Sequence, residues 1–240
     1  MNEQLKNENP WLSITSADDR LLKEDRSFFE QKFGSVENYV NQINDKDPEI
    51  KLTFSCLPDP FCGNPDSKVY CLNKNPGKPD PCFDGEAEYA KKAIDNLHLK
   101  AKDCFWAEGV TNRCGKEHDG VRWLRERTRK LEKTIGRRPN IFFIEYFPYH
   151  SSKGFTFPEN LPSYEFSNKL IEQAIEDEKV IIIMRERANW LKRIKKLVGY
   201  QHLYTLKYPQ GGYLTFDNIV RIDKNGEKFP CIEDTIEKYF

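Results

Sequence analysis

Residues 68–80, KVYCLNKNPGKPD, decide the fold of this chain. The apolar run Val69–Leu72 predicts a short buried strand, because a continuous apolar run bounded by turn residues is typical of a parallel sheet. Pro76 has no N–H for a strand ladder and Gly77 tolerates a positive φ, so the chain is expected to turn sharply after Asn75. Open α/β sheets bind ligands beyond the carboxyl ends of their strands. The amide of Asn75 is therefore a candidate site residue.

Three more β-type apolar runs follow downstream, at residues 140–147, 179–184 and 202–206. Apolar residues at helical spacing lie before and between them, over residues 86–97, 119–135, 163–177 and 188–198. Alternating strands and helices predict a parallel sheet with helices on both faces. We therefore predict a three-layer α/β/α sandwich built on a four-stranded parallel sheet.

The first 50 residues are polar and predict helices rather than strands. Ser16 and Asp19 predict the cap of a first helix, and Ser35 predicts the start of a second. We predict a helical extension over residues 1–50 that packs on an α/β domain of residues 51–240.

The 38 basic and 38 acidic side chains balance, so net charge gives no argument for a polyanionic partner. Basic residues nevertheless concentrate in residues 122–138 and 185–196, either as solvated helix faces or as a phosphate-binding track. No apolar run reaches the roughly 18 residues of a membrane span. The N-terminal sequence lacks the layout of a secretion signal. We expect a cytoplasmic monomer with no membrane partner.

The seven cysteines form no CxxC pair. Their odd number and spacing favour reduced thiols over a disulfide scaffold or a zinc site, and we expect neither a metal nor a cofactor. Convergence of five of them in space stays open, namely Cys56, Cys62, Cys82, Cys104 and Cys114.

Four loops are expected to meet at the carboxyl edge of the sheet, at residues 75–77, 148–154, 185–187 and 208–213. Their amides, histidine, arginines and aromatic residues suit a planar polar ligand that bears phosphate. They contain neither GxxxxGK nor GxGxxG, so a nucleoside triphosphate or dinucleotide site has no support. The absence of GxSxG argues against a serine hydrolase.

Residues 69–77, VYCLNKNPG, resemble the first active-site motif of the uracil-DNA glycosylase superfamily, whose mismatch-specific branch carries GINPG after its first strand. The order of elements over residues 50–220 is also similar to that superfamily. The segments LPDPFCGNPDSKV and EYFPYHSS resemble bacterial proteins loosely grouped with it. The resemblance implies hydrolysis of an N-glycosidic bond without metal or cofactor. Its implied partner is DNA, single-stranded or mismatched, or a nucleotide.

Under this resemblance Asn75 would hold the attacking water below C1′ of a flipped nucleotide. His150 is the second candidate catalytic residue, as a donor to the departing base. The candidate base-binding residues are Phe83, Tyr149, Glu145 and Gln210. The candidate phosphate-binding residues are Arg185, Arg187 and Lys207.

Two features depart from the family pattern, and a third residue, Glu145, is unusual for its strand. Asn73 and Lys74 stand where the motif has glycine and isoleucine. The second family motif, His or Asn followed by Pro-Ser, would align with residues 208–210, Tyr-Pro-Gln, which lack both the His and the Ser. Glu145 is a carboxylate in an apolar strand, so we expect it to accept from a base or to pair with Arg185 or Lys74.

Alternatives remain open for the residues and for the whole chain. Residues 75–77 are also consistent with a plain tight turn, and His150 with a packing role. Arg185 and Arg187 are also consistent with local ion pairs. At the level of function the rivals are a catalytically degenerate nucleic-acid or nucleotide-binding protein of the same fold, an enzyme acting on a free nucleoside, and an interaction module using the basic helix of residues 119–135.

Overall fold

The computed structural model describes residues 3–78, 87–104, 109–111, 115–223, 225, 227–230 and 237–240. Within them the chain is an α/β fold with seven strands in one sheet and seven α-helices. The strands are β1 Phe61–Cys62, β2 Val69–Leu72, β3 Ile141–Ile144, β4 Val180–Ile183, β5 Leu203–Leu206, β6 Ile219–Ile222 and β7 Lys228–Pro230. The helices are α1 Glu3–Asn7, α2 Lys23–Phe33, α3 Val36–Lys46, α4 Ala87–Leu97, α5 Asp119–Ile135, α6 Tyr164–Glu176 and α7 Arg187–Arg193.

The four predicted strands form the middle of the sheet, in the order β3, β2, β4, β5, and pair in parallel. Leu72 pairs with Ile144 on one side and with Ile183 on the other, so three strands end together. The sheet is nevertheless mixed, because β1, β6 and β7 add antiparallel edges to the four expected strands. Sequence patterns missed β1 because it has only two residues, and β6 because exposed Arg221 interrupts it.

The two faces of the sheet carry separate apolar cores, as the alternation of side chains along a strand requires. Tyr70 and Leu72 pack on one face with residues of α2, α3, α4, α6 and α7. Val69 and Cys71 pack on the other face with residues of α5. Helices therefore cover both faces, as the alternating pattern predicts.

Of the two helices predicted in the N-terminal segment, α3 begins at the predicted position and α2 does not. α3 follows Ser35 as predicted, and the Ser35 hydroxyl accepts from the N–H of Asn38 at 3.0 Å. α2 begins only at Lys23, and the prediction of a cap near Ser16 is wrong. The Asp19 carboxylate instead closes a turn, accepting from the N–H of Ser16 at 3.1 Å.

A buried carboxyl joins the N-terminal segment to the sheet domain. Asp25 of α2 is fully buried, and it accepts from the hydroxyl of Tyr149 at 2.6 Å and from the N–H of Ser163 at 2.9 Å. Burial raises the pKa of Asp25, while these hydrogen bonds oppose the rise. The contact fixes α2 against the loop after β3 and the start of α6.

The basic helix α5 has the predicted bounds. His118 caps its start, accepting from the N–H of Gly120 at 2.9 Å, and Gly136 ends it with a φ of 69°. Ion pairs engage part of its charge at the surface, since Arg125 contacts Glu117 at 2.7 Å. Its buried residues face the sheet. Its N-terminal half lies beside the carboxyl ends of β2 and β3.

The cysteines correct one prediction. Cys62 of β1 and Cys104 form a disulfide with a Cα–Cα distance of 5.1 Å, so the expectation of reduced thiols is wrong for this pair. Cys71 is a buried thiol. Cys82, Cys114 and Cys231 lie outside the described residues. Among the described residues no cluster of histidines, cysteines and carboxylates could hold a metal, and no helix is long and apolar enough to cross a membrane.

Candidate functional site

A pocket of about 510 Å³ lies where β2 and β3 end, bounded on one side by the N-terminal half of α5. The segments after β2 and β3 supply its polar side chains, and α5 supplies Trp123 and Arg127. Its polar lining includes Asp59, Asn73, Lys74, Asn75, Glu145, His150 and Arg185. It is the position that the sheet topology predicts for a ligand.

The Asn75 amide is held in one orientation. Its Nδ2 donates to the backbone oxygen of Ser151 at 2.9 Å and to the Ser151 hydroxyl at 3.0 Å. Within the part of the chain that the structure describes, Oδ1 accepts no hydrogen bond. Gly77 turns the chain beyond it with a φ of 84°, as predicted from Asn-Pro-Gly. The free Oδ1 is therefore an acceptor at the edge of the pocket.

Two carboxyl groups share this pocket. Glu145 directly follows β3, and its N–H donates to the oxygen of Pro60 at 2.8 Å, which places it beside Asp59. The Asn73 amide donates to Oε1 of Glu145 at 3.1 Å. Oε2 of Glu145 is shielded from solvent and has no hydrogen-bond partner among the described residues.

The pocket raises the pKa of both carboxyl groups. Burial raises the pKa of Asp59 to about 7. Burial, and then the nearby charge of Asp59, raise the pKa of Glu145 well above its ordinary value, while the Asn73 hydrogen bond opposes the rise. Near neutral pH the pair therefore retains a proton that ordinary surface carboxylates have lost.

His150 anchors the loops that surround the pocket. Its Nδ1 lies 3.1 Å from the oxygen of Gly77, and its Nε2 lies 3.1 Å from the oxygen of Leu57. Burial lowers the pKa of His150 to about 4, and the two carbonyls oppose that shift. The ring is therefore neutral at pH 7 and donates to one carbonyl only. Both ring nitrogens face the backbone rather than a ligand.

Lys74 and Arg185, the two cations expected to pair with Glu145, are engaged with other groups, which corrects the predicted pairing of Glu145. Lys74 contacts Glu186 at 2.9 Å. Arg185 donates to the backbone oxygen of Gln210. Glu145 is therefore paired with Asn73 and with neither of the expected cations.

Arginine and aromatic rings border the same pocket. The guanidinium of Arg127 lies 5.8 Å from the ring centre of Trp123 and 5.3 Å from that of Tyr213. Tyr213 is 48% exposed, so its ring faces solvent beside Arg127. Tyr208 is 65% exposed on the loop after β5. Such rings offer stacking surfaces for bases.

The structure brings together four of the predicted site residues, namely Asn75, Glu145, His150 and Arg185. Four others do not line the pocket, namely Tyr149, Gln210, Arg187 and Lys207. Tyr149 is 1% exposed and faces the core, where its hydroxyl donates to Asp25. Gln210 and Lys207 are exposed on the loop after β5. Phe83 lies outside the described residues.

Sequence reasoning missed Asp59 and the pairing role of Asn73. The prolines on either side of Asp59 indicated only an irregular segment. The signal that was present is an acidic residue between two prolines, three positions before Cys62. No protein family, curated protein or solved structure matches this chain.

Proposed function

We propose that the protein hydrolyses the N-glycosidic bond of a nucleotide, in DNA by first preference, and has a uracil-DNA glycosylase-like architecture. The observation that carries the proposal is the orientation of Asn75. Its amide nitrogen is fixed on Ser151, and Oδ1 is left to accept from a ligand. An amide is a poor base near neutral pH, but a fixed carbonyl oxygen can hold water against C1′.

The carboxyl groups of Asp59 and Glu145 suit the other half of the reaction, which is the departure of the base. When the glycosidic bond breaks, its electron pair moves to the base and positive charge develops on the sugar. Carboxyl groups at Asp59 and Glu145 offer protons or negative charge to these two partners. Separating negative charge on the base from positive charge on the sugar in this way requires no metal.

The surface around the pocket suits a nucleic acid. Arg127, Arg122 and Lys78 contribute positive charge to the pocket lining, and Tyr213 presents an exposed ring beside Arg127. Positive charge binds phosphate and aromatic rings stack on unpaired bases. We therefore prefer a flipped or single-stranded nucleotide to one within an intact duplex.

The test of this proposal is alkaline cleavage of labelled oligonucleotides that contain uracil, T·G, hypoxanthine, xanthine or adenine. We expect Asn75→Ala to lower single-turnover cleavage about 100-fold, since misplaced water costs about that much. Oligonucleotide affinity should remain within about 2-fold, because Oδ1 contacts water rather than phosphate. Asn38→Ala, an amide on α3 away from the pocket, is the matched control and should cleave like the wild type.

The second candidate is a nucleic-acid or nucleotide-binding protein of the same fold without excision activity. The observation in its favour is the sequence Tyr-Pro-Gln at residues 208–210, where the second family motif would have His or Asn followed by Pro-Ser. It is favoured if the wild type binds oligonucleotides, cleaves none of them and keeps its affinity after Asn75→Ala. Absence of both binding and cleavage at low salt would reject both candidates.

A further inference from the structure

Two carboxyl groups of the pocket, those of Asp59 and Glu145, have no counterion among the described residues. Oε1 of Glu145 accepts from Asn73 at 3.1 Å, and Oε2 is buried without a partner among the described residues. In the same part of the chain the Asp59 carboxyl makes neither a hydrogen bond nor an ion pair. Burying a charge without a counterion costs free energy, so two buried carboxyl groups need a bound proton or a ligand.

Backbone hydrogen bonds hold together the two segments that carry these carboxyl groups. The N–H of Glu145 donates to the oxygen of Pro60 at 2.8 Å, and the N–H of Asp59 donates to the oxygen of Pro148 at 2.9 Å. The segments before β1 and after β3 therefore run together beyond the sheet. Trp190 adds a third restraint, since its indole N–H donates to the oxygen of Asn73 at 2.9 Å.

Other titratable groups face the pair from each element around the pocket. The sheet edge contributes Lys74, Lys78, His150 and Arg185. The side of α5 contributes His118, Asp119, Arg122, Glu126 and Arg127. Lys74 contacts Glu186, Arg122 contacts Asp119, and Arg127 contacts Glu126 at 3.5 Å. Within the described residues none of these cations forms an ion pair with Asp59 or Glu145.

We propose that the Asp59–Glu145 pair is the general acid of the hydrolysis, and that its substrate is a base of the adenine type. Such a base has an amino group beside a ring nitrogen that carries no proton. This inference rests on the proposed function and adds the substrate class and the proton donor to it.

The hydrogen-bonding capacity of Glu145 selects this class. A protonated Glu145 carboxyl has one oxygen that donates and one that accepts, and this pattern matches a ring nitrogen beside an amino group. Uracil-type bases leave as stabilised anions, whereas an adenine-type base leaves readily only after a ring nitrogen is protonated. Burial raises the pKa of both carboxyl groups, and the charge of Asp59 adds to the rise in the pKa of Glu145, so the pair holds a proton near pH 7.

The reaction balances without an oxidant or a metal. The C1′–N bond breaks, its electron pair goes to the base, and the Glu145 proton goes to the ring nitrogen. The oxygen of the water held by Asn75 bonds to C1′. One proton of that water returns to the carboxyl pair, which restores the acid. The products are the neutral base and a sugar with a hydroxyl at C1′.

The test compares two leaving groups under single-turnover conditions. One substrate carries adenine, in single-stranded and mismatched oligonucleotides and as free 2′-deoxyadenosine. The other carries 7-methylguanine, whose positive charge makes protonation unnecessary. We expect Glu145→Gln to lower adenine release about 100-fold or more and 7-methylguanine release by less than about 3-fold. Glu165→Gln on α6, an exposed carboxylate away from the pocket, should cleave both like the wild type.

Equal losses on both substrates in Glu145→Gln would overturn the acid role. Wild-type release of 7-methylguanine without release of adenine would overturn the substrate class and leave the glycosidase proposal intact. Release from the free nucleoside alone would identify a nucleoside enzyme, and release from oligonucleotides a DNA enzyme.

A wild type that releases neither base rejects the proposed function, and calorimetry of adenine binding then decides the remaining inference. Affinity at least 10-fold higher at pH 6 than at pH 8.5, and pH-independent in Glu145→Gln, would retain Glu145 as a proton donor to an adenine-type base. No such difference would reject that role as well.

Discussion

Trp190→Ala is expected to lower the free energy of unfolding by about 3 to 5 kcal/mol, the usual cost of removing a large aromatic side chain from a core. Trp190 of α7 is fully buried, and its ring meets that of Tyr146 edge-on at 5.1 Å. Its N–H also supports the pocket through the oxygen of Asn73. Urea unfolding followed by circular dichroism measures the change.

A milder pair of variants separates packing from hydrogen bonding. Trp190→Phe keeps a ring but leaves the Asn73 oxygen without its donor, so we expect a loss of about 1 to 3 kcal/mol beyond the change in packing. Trp11 is equally buried, yet its indole nitrogen has no partner among the described residues. Trp11→Phe should therefore cost less than Trp190→Phe. The reverse order would show that the contact with Asn73 contributes little.

Asp59→Asn is expected to raise the free energy of unfolding by about 2 to 4 kcal/mol at pH 8 and to leave it nearly unchanged at pH 4. The pKa of Asp59 is raised to about 7, so the folded protein keeps a proton that the unfolded chain releases near pH 4. Stability therefore falls as pH rises from about 4 to 7, and the loss persists above pH 7. Asparagine cannot ionise and avoids this loss.

Urea titrations of the wild type and Asp59→Asn between pH 4 and pH 8.5 measure this difference. The pKa of His150, lowered to about 4, makes both proteins less stable below about pH 6.5, and this contribution cancels when the two are compared. Asp18→Asn, at an exposed position, is the control and should stay within about 0.5 kcal/mol of the wild type. Parallel curves for wild type and Asp59→Asn would show that Asp59 ionises normally.

These stability changes bear on function. The carboxyl pair lowers the free energy of unfolding at pH 8. Groups that destabilise the folded protein in this way concentrate at active sites. A more stable Asp59→Asn that is also inactive would link that cost to catalysis. A more stable variant with full activity would separate the two.

The sequence by itself determined the local elements. Each of these elements is encoded by residues that are close together in the chain. The structure has β2, β3, β4, β5 and the cap at Ser35 where they are predicted. The turn at Asn75 follows in the same way, because Pro76 and Gly77 restrict the backbone directly.

Only the tertiary structure decided which distant groups meet. Asp59 reaches Glu145 because β1 pairs antiparallel with β3, and the disulfide of Cys62 follows from the same strand position. Tyr149 faces the core, where its hydroxyl donates a hydrogen bond to Asp25 of α2. Such contacts depend on the order and pairing of strands far apart in the chain. Continuous apolar runs, buried on both faces of the sheet, do not specify which strands become neighbours.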